Sequence, residues 1–116
     1  MWLTGSLKVW LYSKPTDMRK SIDGLSIVVS EQLNQNPCGP DVFVFYNRGL
    51  DKLKILYWDK NGFCLWYKRL EKGRFLLPDM EDDCYVLSIE QLRWLLDGLR
   101  IEALKGSPKL SYENYF

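Results

Sequence analysis

The side chains able to do chemistry in this chain crowd between positions 48 and 74. There Arg48, Lys52, Lys54, Lys60, Lys68, Arg69, Lys72 and Arg74 interleave with Tyr57, Trp58, Trp66 and Tyr67. Only Asp51, Asp59 and Glu71 oppose those eight cations, so this stretch carries a local charge of +5. Cations neutralise phosphate and rings stack on unpaired bases, so the combination suits a nucleic-acid strand or an acidic protein surface. The phosphate contacts expected are Lys52, Lys54, Lys60, Lys68, Arg69, Lys72 and Arg74, with Arg48 beside them and Trp58 and Tyr67 as stacking rings. Lys60 and Lys72 stand out because they fall in turns. The competing reading is a solvated sheet face over buried aromatics. Neutralisation of these cations by the chain's own carboxylates would undo the electrostatic reading.

A second cationic point is Arg19-Lys20 in the string Pro15-Thr16-Asp17-Met18-Arg19-Lys20. Thr16 or Asp17 reads as the cap of a helix, which puts both cations in its first turn. The helix dipole disfavours cations there by typically ~0.3–1 kcal/mol each. Either Arg19 pairs with Asp23 four residues on, or the two cations and the free N–H groups receive a phosphate or carboxylate.

Catalysis has few carriers. Histidine is absent, which removes Ser-His-Asp and Cys-His nucleophile systems and the usual zinc sites. The odd, widely spaced Cys38, Cys64 and Cys84 form no C-x-x-C pair and read as reduced thiols. The acidic run Asp79, Glu81, Asp82 and Asp83, and the scattered Asp17, Asp23 and Asp59, lack spacing that would force a metal site. The expectation is a binding protein with no catalytic residue, no metal and no cofactor. The alternative is a small metal-dependent nuclease or hydrolase using carboxylates. A regulator of the toxin–antitoxin kind has the right size, but no residue selects it.

The elements must hold these residues in place. At 116 residues the chain fits one domain, expected over 1–106, with 107–116 a loosely held tail. No run of eighteen apolar residues and no signal-peptide pattern occurs, so no membrane span is expected and a cytoplasmic location is the default. The net charge of +1 conceals a segregation, since positions 79 to 102 carry −5.

Leu7, Val9 and Leu11 alternate with Lys8, Trp10 and Tyr12 as a half-buried strand. Met18, Ile22, Leu25, Val29 and Leu33 then form the stripe of a helix, in which Gly24 implies a close neighbour. Residues 42–46 are continuously apolar, as in a central strand. Asp59-Lys60-Asn61-Gly62 between β-formers marks a hairpin. With an even loop, Lys52, Lys54, Leu56 and Trp58 share a face with Phe63, Leu65, Tyr67 and Arg69, and Leu53, Ile55 and Tyr57 with Cys64, Trp66 and Lys68. One face is expected to pack on helices and the other to stand exposed. Residues 74–77 read as a further strand, 85–87 as a short extended piece, and Ser88 opens a last helix striped by Ile89, Leu92, Leu96 and Leu99. The order β-α-β-β-β-β-α gives an α+β domain, an antiparallel meander of four to five strands with two helices against it. Of Trp2, Trp10, Trp58, Trp66 and Trp94, any left exposed would contact a protein partner or a second copy.

Two strings are long and chemically unusual: P-T-D-M-R-K-x-x-D-G-L from Pro15, and L-K-I-L-Y-W-D-x-x-G-F-C-L-W-Y-K-R-L-E-x-G-R-F from Leu53. With Val42-Phe-Val-Phe45, Leu87-Ser-Ile-Glu-Gln-Leu92 and Leu96-Asp-Gly98, the chain resembles the TnpB accessory proteins of the insertion-sequence-66 class of bacterial transposable elements. The resemblance spans about residues 7 to 102. It implies a protein of the element's second open reading frame that assists transposition beside a separate transposase, with no established catalytic activity of its own. The implied partners are that transposase and DNA, with a homo-oligomer as a further candidate. The RNA-guided nuclease that shares the name TnpB is far longer and is a different protein.

Overall fold

The computed structural model describes residues 7–101. Trp2 and the tail expected over 107–116 lie outside the described residues. The elements are β1 (Val9–Tyr12), α1 (Ile22–Glu31), β2 (Val42–Tyr46), β3 (Lys52–Asp59), β4 (Gly62–Arg69), β5 (Cys84–Leu87) and α2 (Ile89–Leu96). One sheet runs β4-β3-β2-β1-β5. The α+β class and the order β-α-β-β-β-β-α stand.

The sheet is mixed, because β1 and β2 run parallel, with Val9 level with Val42 and Leu11 with Val44. A parallel pair needs a crossover, and α1 supplies it. All five residues of β2 are buried, as a strand covered on both faces requires. Alternation sends Phe43 and Phe45 to one face, where α1 places Leu25, Val29 and Leu33. It sends Val42, Val44 and Tyr46 to the other, against Leu92 and Leu95 of α2. The helices thus cover opposite faces of β2, and among the described residues neither face of the sheet is wholly bare. β1 is likewise covered on both sides, with Leu11 fully buried and Tyr12 nearly so.

The hairpin pairs as the even loop requires, from Lys52 opposite Arg69 to Asp59 opposite Gly62. Its two loop residues are Lys60 and Asn61, and the left-handed one is Lys60 (φ +51°), not Gly62. The fifth strand is 84–87, paired antiparallel with β1, and not 74–77. Residues 74–77 form no strand; Phe75 N–H donates to Leu50 O at 2.7 Å and its ring enters the core beside α2. Helix α2 begins as expected at Ser88, whose hydroxyl accepts from Gln91 N–H (3.1 Å) while Gln91 Oε1 accepts from Ser88 N–H (2.9 Å). Gly98, at φ +81°, follows its last turn.

Helix α1 starts at Ser21, later than Thr16 or Asp17. The cause is local and distant at once. Asp17 Oδ1 accepts Arg19 N–H (2.9 Å) in a turn of its own. Lys54 Nζ takes the Met18 and Lys20 carbonyls, which an earlier helix would have used for itself. Gly24 has the close neighbour its position implied, since a Cβ there would lie 3.3 Å from the Lys20 stem.

Burial gives Tyr46 a titration signature. Desolvation first, and the neighbouring Tyr12 second, push its hydroxyl up to about 12. A raised folded-state value contributes stability that is complete below the free tyrosine value near 10 and lost as pH climbs towards 12. Urea unfolding is therefore expected to show a loss of about 2 kcal/mol across that window, over and above general lysine deprotonation. Tyr46→Phe should flatten this part of the profile, and an unchanged alkaline limb in the variant would refute the assignment.

Candidate functional site

A groove of about 600 Å³ opens between the 15–19 turn, the β2–β3 turn and the hairpin. Its cationic lining is Arg19, Arg48 and Lys52, with the Tyr67 ring on one side and Asp17 as its one carboxylate. Period-two alternation places Lys52, Lys54, Tyr67 and Arg69 on the same sheet face, which is why β3 and β4 can contribute together.

Each wall is fixed by a particular contact. Thr16 is buried, and its N–H donates to Tyr46 O (2.8 Å), tying the 15–19 turn to β2. Lys54 Nζ donates to Met18 O (2.7 Å) and Lys20 O (2.8 Å) and lies 5.5 Å from the Tyr67 ring centre. Asn47 builds the opposite turn: its Oδ1 accepts from Asp51 N–H (3.1 Å) and Lys52 N–H (2.9 Å), and its Nδ2 donates to Asp51 Oδ1 (2.6 Å). That turn includes Leu50 at φ +59°, a conformation that needs such support. From sequence, Asn47-Arg48-Gly49 reads as the turn into the hairpin; that the Asn47 side chain holds this wall of the groove is what the structure adds.

Electrostatically the groove is mixed. Arg19 Nη2 lies 2.7 Å from Asp17 Oδ2, and Nε reaches both carboxylate oxygens. Those hydrogen bonds, then the guanidinium charge, hold the Asp17 carboxyl at about 2. Lys52 Nζ lies 3.6 Å from Asp51, whose carboxyl is held low first by the Asn47 amide and then by the Lys52 charge. Arg69, opposite Lys52 in the hairpin, pairs with Glu71 at 3.0 Å. All three pairs are at the surface, where such interactions are weak and an incoming anion competes readily. Among the described residues Arg48 has no carboxylate within ion-pair distance, nor have Lys20, Lys60, Lys72 and Arg74.

The expected residues therefore divide. Arg19, Arg48, Lys52 and Tyr67 converge in the groove, with Arg69 at its margin. Lys20 borders α1, its stem against Gly24. Lys60 sits at the hairpin tip, about 25 Å along β3 from Lys52, and Trp58 near it stacks edge-on with Phe63 at 5.0 Å. Lys72 and Arg74 lie exposed beyond β4. Lys54 is engaged internally, and Lys68 faces the other side, where its Nζ donates to Leu96 O at the end of α2 (2.8 Å). Arg19 pairs with Asp17, not Asp23. Among the described residues no three Cys, Asp or Glu side chains converge to hold a metal ion.

The family described as IS66 Orf2-like protein matches residues 7–106. The chain belongs to that family. Two uncharacterised proteins of Sinorhizobium fredii are similar over most of their length. The protein y4hO is 38% identical over 94 residues, 81% of this chain and 82% of its own. The protein y4jC is 33% identical over 102 residues, 88% and 87% respectively. No solved structure matches. Membership in the IS66 Orf2-like family supports an accessory role associated with transposition. Among the described residues of this family member, no helix is long and apolar enough to cross a membrane.

Proposed function

We propose that this IS66 Orf2-like protein assists transposition in the cytoplasm by binding, without chemistry of its own, and that the groove is where it binds DNA. The observation that carries the reading is the meeting of Arg19, Arg48, Lys52 and Tyr67 from separate segments of the chain. Arg48 and Lys52 take phosphate oxygens, Arg19 exchanges Asp17 for a phosphate, and Tyr67 offers a ring face to an unstacked base. Two or three phosphate contacts give a log–log salt slope of roughly −2. Fluorescence anisotropy with DNA from the element's ends is expected to show that slope. The double variant Arg48→Glu/Lys52→Glu should lose at least about tenfold in affinity with little change in melting temperature, since neither charge is buried. Binding indifferent to salt and to both substitutions would sink the reading.

The ion pairs favour a second reading. Arg19, Lys52 and Arg69 each already face a carboxylate, and such a mixed surface also suits a protein partner whose charges exchange with these pairs. That partner would be the element's transposase. Co-purification with transposase in the absence of DNA supports the adaptor; retention only when end DNA is present supports the DNA contact.

A further inference from the structure

Strand β4 ends the sheet, and eight residues is long for an edge. Only two residues separate Asp59 from Gly62, so that pair exchanges both backbone hydrogen bonds. Alternation then turns the N–H and C=O groups of Phe63, Leu65, Tyr67 and Arg69 away from β3. Leu70 N–H, donating inward to Asp51 O at 2.7 Å, fixes the same parity. Among the described residues those outward groups meet no backbone partner. The usual protections of an edge are missing too. β4 has no proline, and its cations are occupied, Lys68 on Leu96 O and Arg69 on Glu71. Phe63, Cys64, Leu65 and Trp66 are incompletely covered, and Tyr67 is 49% exposed.

We propose that β4 pairs antiparallel with β4 of a second copy, with Leu65 on the two-fold axis, joining two five-stranded sheets into one of ten. The strand is complementary to itself in this register. Leu65 bonds Leu65, Phe63 of one copy lies opposite Tyr67 of the other on one face, and Cys64 lies opposite Trp66 on the other face. Aromatic cross-strand pairs of this kind favour association. Lys68 falls opposite Gly62 and Arg69 opposite Asn61, so no like charges meet. Lys60, in the loop at the end of β3, falls outside the paired strands. An isologous pairing closes after two copies, whereas joining β4 to the four-residue edge β5 would make fewer bonds and propagate without closing. The two-fold axis stands perpendicular to the sheet and leaves both grooves on one side. The proposal does not depend on what the groove binds.

Sedimentation of the full chain should give twice 13.7 kDa. Leu65→Arg, which sets two guanidinium groups face to face, should weaken self-association roughly tenfold or more. Because Leu65 also packs towards α1, a second measurement uses Leu65→Cys with Cys38, Cys64 and Cys84 changed to serine. A short thiol-to-thiol crosslinker should then yield a covalent dimer, since residues directly opposite in such a hydrogen-bonded pair have Cα atoms about 5.5 Å apart. A monomeric wild-type chain, as when its own residues 102–116 or only a foreign strand occupies the edge, overturns the proposal. So does a dimer that fails to cross-link through Leu65→Cys.

Discussion

Phe75→Ala is expected to lower unfolding free energy by about 3–5 kcal/mol, although residue 75 belongs to no strand or helix. Its ring is 1% exposed and packs in the cluster of Leu53, Ile55, Leu92, Leu95 and Ile101, between the sheet and α2. A void there has a hydrogen-bonded sheet on one side and a capped helix on the other, so little of it can collapse. Phe75 also anchors the chain returning from β4, because its N–H holds Leu50 O in the turn beside the groove. Urea titration should show a lower midpoint with an unchanged slope. Arg74→Ala, one residue away and exposed, should stay within about 0.5 kcal/mol. A Phe75→Ala loss below about 1 kcal/mol would mean that the ring is not a core residue.

Residues 74–77 also show where sequence pattern stops. An apolar run ended by Pro78 has the composition of a strand, and so has 84–87. Period and propensity do not separate them. The open side of β1 does, by pairing with Cys84–Leu87, so that Phe75 serves as an isolated anchor. The hairpin was legible because its two signals are local: a two-residue loop fixes register, and register fixes faces. The continuous apolar run of β2 likewise carried its own meaning. The parallel pairing of β1 with β2 was not legible, since it joins segments some thirty residues apart that look the same in either direction. The crossover helix α1 follows from it, and α2, leaving β5 for the opposite side, completes the cover of β2.

The candidate site was partly legible for the same reason. Sequence located Arg19, Arg48, Lys52 and Tyr67, because charge and ring content are properties of residues. It could not say which cations are committed. Lys54 and Lys68 share the composition of their neighbours, yet each spends its ammonium on backbone carbonyls 28 or more residues away. Asp17 and Asn47, which shape the groove, carry no positive charge and were read only as a cap and a turn.

Lys54→Met separates a cation that binds from one that builds. Methionine keeps the apolar stem but leaves Met18 O and Lys20 O without their donor and Tyr67 without its cation. Hydrogen bonds from a charged group contribute about 1.5–3 kcal/mol each. Water reaches the Lys20 carbonyl and recovers part of this, so the expected loss is roughly 2–3 kcal/mol in all. The substitution also frees the 15–19 turn on one side and releases Met18 O towards the helical bond with Ile22 that Lys54 forestalls. Arg19 then leaves its place opposite Arg48, and affinity for DNA falls. A phosphate-contacting lysine behaves differently: Lys52→Ala should lower the magnitude of the log–log salt slope by about one while leaving stability nearly intact. Lys54→Met should weaken binding and stability together and leave the slope where it was. If its slope instead drops by about one with no change in urea midpoint, Lys54 reaches the ligand itself, and the turn before α1 owes its position to something else.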